Sequence, residues 1–194
     1  MKLLMMRMVR TVSVAVALMA AAIPAHGFNV TVGASRLLLD AAATARARIT
    51  RPLGMSSTDF AISKFDNGIV KAFEKAWERS GNGTSSFEGV VLVLRMADGS
   101  FSGRDMGATN EFRRFTFAWH PAAIAIVHTH PNSTDPKPCG DDIVAADKYG
   151  VPIFTITNRG MYVYDPGTRK TSRVMKDLDW LDQANWRKVL LGKR

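Results

Sequence analysis

The residues of this chain best suited to chemistry are two alternate histidines, His128 and His130, and an acidic pair that follows them. The apolar run before them, residues 122–127, is typical of a buried strand, and alternate residues of a strand share one face. The two imidazoles are therefore expected to point the same way. Neutral imidazoles are usual zinc ligands, and a carboxylate from the next element would complete three protein ligands and leave a fourth position for water. The pattern predicts a zinc site with Asp142 as the third ligand.

Each half of this pattern also has an ordinary structural explanation. Alternate histidines are common on strands that bind no metal, and Asp141 or Asp142 could simply cap a helix. Counting histidines excludes two other classes of metal site. The chain has four, and His26 and His120 both lie upstream of the pair. Cupin-type sites need a further histidine downstream, and barrel amidohydrolases need more histidines and a longer chain. His120 is expected at a strand end or in a loop.

The pattern resembles the signature of the JAB/MPN (JAMM) metalloprotease family, which has an upstream glutamate, then His-x-His-Pro, then Ser-x-x-Asp. Residues 128–131 of this chain match the second element. Cys139 stands where the family has its serine, and Asp142 falls on the aspartate that binds the metal. The resemblance covers roughly the second half of the chain. It implies a zinc-dependent hydrolase of amide or isopeptide bonds, with His128, His130 and Asp142 as metal ligands.

The spacing between the histidines and the aspartate departs from the family by one residue. Eight residues separate His130 from Cys139, whereas the family gap is usually one residue shorter. Strict spacing would choose Pro138 and Asp141 in place of Cys139 and Asp142. We prefer the second pair, because a proline cannot replace a serine hydroxyl and loops absorb insertions easily. Asp141 is the ligand only if this spacing is misread.

The resemblance also implies a general-base glutamate on an early strand. Glu88 opens the apolar segment 88–95 and is the preferred base, whereas Glu111 lies in the polar stretch 109–114 and is the weaker candidate. In the family the serine steadies the tetrahedral oxyanion. Cys139 is assigned that role here, although a thiol is a weaker hydrogen-bond donor than a hydroxyl. The alternative is a catalytically weak or inactive metal-binding module of the same fold that acts as a binding protein or effector.

The first 27 residues predict a secretory signal peptide. Basic residues precede an apolar run at 12–23, and small residues follow at the positions that a signal peptidase reads. A transmembrane anchor is the alternative, but the run is shorter than the roughly 20 residues needed to cross a bilayer. No later segment of the sequence is long and apolar enough to span a membrane. The mature protein is expected to be exported, either periplasmic or secreted.

Charge and cysteine content limit the expected partners. Removing residues 1–27 would take away three of the 26 basic residues and none of the 17 acidic ones, leaving a net charge of +6. Such a charge favours anionic surfaces without selecting one, and scattered basic residues without interleaved aromatics predict no specific nucleic-acid site. The expected substrates are a peptide, a protein or peptidoglycan. Cys139 is the single cysteine, so no internal disulfide can form.

Hydrophobic periodicity predicts three helices. Residues 66–79 have helical spacing and end in the turn at 80–83, and residues 141–149 form a second segment that ends at Gly150. Residues 178–191 predict a last helix. Its candidate contacts are Trp180, Leu181, Ala184 and Val189. The alanine-rich and arginine-rich residues 37–48 suggest a short helix or a mobile leader.

Alternation and short apolar runs predict strands between these helices. They are expected at 88–95, 100–103, 114–118, 122–128, 152–158 and 161–164. Together these helices and strands predict an α/β fold, and the resemblance implies a JAB/MPN-like mixed sheet flanked by helices. The expected organisation is a signal peptide at 1–27, a helical N-terminal extension at 28–85 and a JAB/MPN-like domain at 86–194.

Overall fold

The computed structural model describes residues 28–32, 54–108 and 115–191. These residues contain eight strands and four α-helices. The strands are β1 (Phe28–Val32), β2 (Gly89–Arg95), β3 (Phe101–Ala108), β4 (Phe115–Trp119), β5 (Ala123–Thr129), β6 (Ile153–Thr157), β7 (Gly160–Asp165) and β8 (Lys170–Lys176). The helices are α1 (Ser57–Ile62), α2 (Asn67–Arg79), α3 (Gly140–Tyr149) and α4 (Gln183–Leu191), with a 3₁₀-helix at Asp179–Leu181. None of the helices described here has the length and apolar character needed to span a bilayer.

Six of the described strands form one mixed sheet in the order β3-β2-β5-β6-β7-β8, and β1 pairs separately with β4. β5 and β6 run parallel, and the other neighbours in the sheet are antiparallel. Parallel neighbours need a crossover connection, which α3 supplies. The loop from β5 to α3 therefore lies at the end of the sheet where β5 terminates. The predicted α/β class with a mixed sheet is confirmed.

Helices cover both faces of this sheet. Val91 and Val127 pack with α1, α2 and the C-terminal tryptophans in one buried cluster. Val90 and Ile126 pack with α3 and β4 in a second cluster on the opposite face. All seven residues of β5 are buried. A strand with an apolar layer on each side has a continuous apolar sequence, which is why the run at residues 122–127 is recognisable as a buried strand.

The helix predicted at 66–79 is confirmed as α2, and its ends follow from capping groups. The Asp66 side chain accepts a 3.0 Å hydrogen bond from the Ile69 N–H and caps the first turn. The chain leaves the helix at Ser80, and residues 81–83 all have positive φ. The predicted stripe is buried: Ile69, Val70, Phe73, Ala76 and Trp77. α2 therefore belongs to the core of the main sheet.

Three described elements were absent from the sequence prediction: β1, α1 and β8. β8 lies at one edge of the described sheet, and its first four residues are exposed while Met175 is buried. An edge strand with mostly solvated side chains carries little hydrophobic periodicity. The signal peptide predicted at 1–27, the segment 37–48 and Glu111 lie outside the described residues.

The C-terminal helix is interrupted at Asp182, and this changes which residues face the core. Asp182 Oδ1 accepts a 2.8 Å hydrogen bond from the Ala184 N–H and starts a new helix there. Trp180 and Trp186 are fully buried, and the Trp186 indole donates a 2.9 Å hydrogen bond to the Trp180 carbonyl. The expected contact at Ala184 is wrong, since that residue is exposed. If residues 178–191 formed one unbroken α-helix, Trp186 would not lie on the same face as Trp180.

Close packing between α2 and β2 predicts the effect of a methyl group at Gly89. A Cβ there would lie 2.5 Å from the Ala76 carbonyl oxygen, which cannot move without shifting the helix. Gly89→Ala should lower the free energy of unfolding by about 2 kcal/mol, as overpacking commonly does. Urea denaturation followed by circular dichroism measures the change. Gly140→Ala is the matched control, since its Cβ would meet no atom within 4 Å, and equal losses for the two variants would contradict the prediction.

Candidate metal centre

Both histidines lie at the carboxyl end of β5 in the interior of the protein. His128 is fully buried and His130 is 7% exposed. β5 is paired with β2 on one side and with β6 on the other, so its backbone is held on both edges. The two ring centroids are 4.8 Å apart, as expected for alternate residues on one face. The imidazoles therefore form one wall of a site beside the first turn of α3.

Asp142 enters this site from the first turn of α3. The Cys139 N–H donates a 2.7 Å hydrogen bond to Asp142 Oδ2, which orients the carboxylate as in a capping box. Asp142 Oδ1 then lies 3.3 Å from His128 Nε2, and Oδ2 lies 3.4 Å from His130 Nε2. Asp142 is 1% exposed. Asp141, the alternative ligand, does not belong to this cluster.

Several buried polar atoms of the cluster have no hydrogen-bond partner within the described part of the chain. These are both ring nitrogens of His128 and Oδ1 of Asp142. Buried polar groups are almost always paired. His128 Nε2 and Asp142 Oδ1 face each other at 3.3 Å, so either a proton on the ring or a cation would pair them. A cation bound between His128 Nε2 and Asp142 Oδ1 would satisfy two of them at once.

His130 supplies a separate argument for a cation. Its Nδ1 lies 2.9 Å from the carbonyl oxygen of Asp135, which can only accept a hydrogen bond. Nδ1 must therefore carry the proton, and in the neutral ring Nε2 presents a lone pair. That lone pair faces Asp142 Oδ2 at 3.4 Å, where two acceptors repel each other unless positive charge lies between them. A carbonyl that holds the far nitrogen is the usual arrangement at a metal-binding histidine.

His128, His130 and Asp142 could together hold a metal ion. Their ligand atoms lie within 4.8 Å of one another, and all three residues are buried. Two imidazoles and one carboxylate suit a first-row transition metal better than calcium or magnesium, which prefer oxygen ligands. The three residues predicted as ligands are therefore brought together by the fold.

The charges in the cluster also suit a cation. Burial lowers the pKa of His128, but the carboxylates of Asp142 and Glu88 outweigh that effect and raise the pKa above its ordinary value. Burial raises the pKa of Asp142, but the two imidazoles outweigh it and hold the pKa well below its ordinary value. Asp142 and His128 therefore stabilise the charged form of each other, and the ionised form of Asp142 is favoured in the cluster.

Glu88, the predicted general base, lies beside the cluster. β2 and β5 are antiparallel, and their register pairs Val90 with His128, so Glu88, two residues before Val90, lies near the end of β5 that carries the histidines. The Gly89 N–H donates a 2.9 Å hydrogen bond to Thr129 Oγ1, which ties the start of β2 to the end of β5. Glu88 is 5% exposed, and its charge contributes to the raised pKa of His128. The fold thus brings Glu88, the predicted base, close to the predicted metal ligands.

Cys139 immediately precedes α3 and is exposed as a residue. Partial burial of its sulfur, together with the charge of Asp142, raises the pKa of the thiol to about 11. The thiol therefore keeps its proton at neutral pH. Such a group can donate a weak hydrogen bond, but it is not an activated nucleophile.

His120 lies away from these residues. It follows β4, and its Nδ1 accepts a 3.2 Å hydrogen bond from the Ala122 N–H. β5 begins at Ala123 and reaches His128 after five further residues, a distance of roughly 16 Å along a strand. His120 therefore occupies the loop position expected from the sequence, at the other end of β5 from the metal centre.

Sequence reasoning missed the groups that hold this site in place. Asp135 acts through its backbone carbonyl, which no side-chain motif reveals. Thr155 is buried in β6 and donates its hydroxyl to the carbonyl of Pro136. In the sequence, the signal for Thr155 was a hydroxyl within an apolar strand, because a buried hydroxyl needs a hydrogen-bond partner.

No protein-family model matches this chain, and no curated protein matches it. The geometry of His128, His130 and Asp142 by itself supports a cluster that could hold a metal ion.

The cluster predicts which substitutions remove the metal. His128→Ala, His130→Ala and Asp142→Ala should each reduce the metal bound per chain to below about one tenth of the wild-type value, because each removes one of three ligands. Elemental analysis after gel filtration measures the content. Asp141→Ala is the matched control and should keep the wild-type amount. Loss of metal in Asp141→Ala with retention in Asp142→Ala would contradict the assignment.

Proposed function

We propose that this protein is a zinc-dependent hydrolase of the JAB/MPN type that cleaves an amide or isopeptide bond. The observation that carries the proposal is the buried cluster of two imidazoles and one carboxylate, with the second carboxylate of Glu88 beside it. A metallohydrolase needs protein ligands that leave a position for water, and a base that does not bind the metal. His128, His130 and Asp142 supply the ligands. Glu88 supplies the base.

Zinc is proposed from the donor set of the cluster. Two imidazoles and one carboxylate, with a fourth position left for water, are a usual set of ligands at a catalytic zinc. The same donors can hold iron(II) in octahedral oxygenase sites, so elemental analysis that finds iron instead of zinc would overturn this part of the proposal.

Each residue of the cluster has a defined part in the proposed hydrolysis. Zinc, when bound, supplies a Lewis acid that activates water and polarises the scissile carbonyl. Glu88 accepts the proton of the attacking water and delivers it to the leaving amine. Its burial beside the histidines keeps bulk water away from that transfer.

Cys139 is proposed to take the place of the family's serine. Its protonated thiol is attached to the same backbone segment that orients Asp142, so it lies close to the ligands. A thiol is a weak donor, and it would stabilise a developing oxyanion less than a hydroxyl does. This departure is the feature that favours the second candidate function, a metal-binding module of the same fold that binds a partner or acts as an effector with little catalysis.

The proposed setting is outside the cytoplasm. Residues 1–27 have the pattern of a signal peptide. The proposed substrates are therefore those that an exported protein meets: a peptide, a secreted protein or a peptidoglycan cross-link. The net charge of +6 left after removal of that segment favours an anionic surface such as a cell-wall polymer.

Hydrolysis of a peptide library tests the proposed activity against the binding module. The zinc-loaded protein should cleave members of the library, EDTA should stop the cleavage, and added zinc should restore it. Binding of the peptides without cleavage under any of these conditions would favour the second candidate function.

Glu88→Gln separates the base from the ligands. The variant should keep its fold and its zinc but lose about 100-fold or more in kcat, the contribution of a positioned general base. Steady-state kinetics and elemental analysis of the same sample measure both quantities. Glu78→Gln, an exposed substitution on α2, is the matched control and should retain full activity. Loss of zinc in Glu88→Gln would instead make Glu88 a ligand.

Cys139→Ser tests the departure from the family. The variant should keep zinc and raise kcat by up to about 100-fold, because a single oxyanion donor contributes roughly 3 kcal/mol and the hydroxyl is the better donor. Cys139→Ala should not show this gain. Equal turnover with cysteine, serine and alanine would remove residue 139 from the chemistry.

A further inference from the structure

Residues 131–138 form the loop that joins the two halves of the metal centre. The loop starts directly after His130 and ends one residue before Cys139, whose N–H orients Asp142. It consists of turns and bends and has no strand or helix of its own. The separation between His130 and Asp142 therefore depends on contacts that hold this loop against the sheet.

Thr155 supplies one of these contacts from the middle of β6. It is fully buried, and the parallel register pairs it with His128, so its side chain lies on the face that carries the histidines. Its hydroxyl donates a hydrogen bond to the Pro136 carbonyl oxygen. A hydroxyl in a buried strand is costly unless it is hydrogen-bonded. This one is bonded to the loop that leads to the metal ligand Asp142.

The bond from Thr155 acts next to the carbonyl that holds His130. The carbonyl of Asp135, one residue before Pro136, lies 2.9 Å from His130 Nδ1. Two successive loop carbonyls are thus engaged, one by β6 and the other by the ligand ring. Fixing the Pro136 carbonyl restricts the orientation of the preceding peptide unit, and that unit sets the direction of His130 Nε2.

We propose that Thr155 is a positioning residue for the metal ligand His130, acting through the backbone of Pro136 and Asp135. The inference rests on the metal centre of the proposed function and adds a residue that the motif does not contain. Thr155 touches neither metal nor substrate in this role. Its hydroxyl sets how well the three ligands converge.

Other contacts hold the first part of the loop without Thr155. The Asn132 N–H donates a 2.8 Å hydrogen bond to the Gly83 carbonyl, and the Asn132 side chain donates one of 3.0 Å to the Asn82 carbonyl. Loss of the Thr155 hydroxyl should therefore leave the loop folded and release only the part around Asp135 and Pro136. The expected effect is on metal affinity more than on the fold.

Thr157 offers a matched control in the same strand. It is also buried, and its hydroxyl donates a 3.1 Å hydrogen bond to the Gly160 carbonyl in the turn that follows β6. Thr155→Val and Thr157→Val remove the same group from the same strand and keep the same shape. They differ in that only the Thr155 hydroxyl bonds directly to the loop of the metal centre. The Thr157 hydroxyl bonds within the turn after β6, where it also accepts a 3.0 Å hydrogen bond from the Arg159 N–H. Thr157 is linked to the loop only indirectly, because the Arg159 side chain donates to the Thr134 carbonyl.

The experiment measures zinc affinity of the purified metal-free protein by competition with a chromophoric chelator, and stability by urea denaturation. Thr155→Val should weaken zinc binding by about 10- to 100-fold, the usual effect of removing a group that orients a ligand. Thr155→Ser keeps the hydroxyl and should restore affinity to near the wild-type value. Thr157→Val should bind zinc like the wild type. The visible absorption of the cobalt(II) form should change in Thr155→Val alone among these variants.

The possible outcomes separate the role of Thr155 from the existence of the metal centre. Wild-type affinity in Thr155→Val, or failure of Thr155→Ser to restore it, would overturn the role of Thr155. Equal weakening in Thr155→Val and Thr157→Val would assign the effect to general loosening of β6 and would also overturn it. Absence of zinc binding by the wild type would overturn the metal centre itself. If Thr155→Val does not fold, Thr155→Ala takes its place in the same comparison.

Discussion

The charge of Asp142, held in an almost fully buried position, is the constraint on which the rest of the site depends. A carboxylate that is 1% exposed has lost its hydration, which costs several kcal/mol unless opposite charge and hydrogen bonds replace it. The Cys139 N–H supplies one hydrogen bond, and two imidazoles face the remaining oxygen lone pairs. Either protons on the imidazoles or a bound cation must therefore supply the positive charge that this carboxylate needs. The feature that is unfavourable for stability is therefore the one that makes the cluster suitable for a metal.

The fold meets this constraint by building the site where rigid elements end. β5 is paired on both edges, and α3 crosses from its end to the parallel strand β6. The close approach of α2 to Gly89 and the bond from Gly89 to Thr129 fix the start of β2, and with it Glu88. Contacts remote from the cluster thus decide whether Glu88 lies beside His128, His130 and Asp142.

Two carboxylates in one buried region have different surroundings, and the different roles proposed for them follow from this. Asp142 is oriented by a backbone N–H and faces both imidazoles, which suits the proposed role of ligand. Glu88 comes from another strand and acts on His128 through its charge. A division of this kind, in which environment assigns one carboxylate to binding and another to proton transfer, is common in hydrolytic sites. Cys139 is the residue at which this chain departs from the family that it resembles.

The sequence by itself determined the local parts of the structure. Alternation placed His128 and His130 on one face, the apolar run before them marked β5, and capping residues marked the ends of α2 and α3. These features repeat within a few residues, so a short window contains the information. Only the tertiary structure decided that Asp142 and not Asp141 meets the histidines, and that Glu88 lies close enough for its charge to act on His128. It also decided that Thr155 holds the loop beside them, and that a break at Asp182 turns Trp186 inward. Those outcomes depend on strand pairing, loop conformation and helix phase between distant segments, and no local pattern encodes such distances.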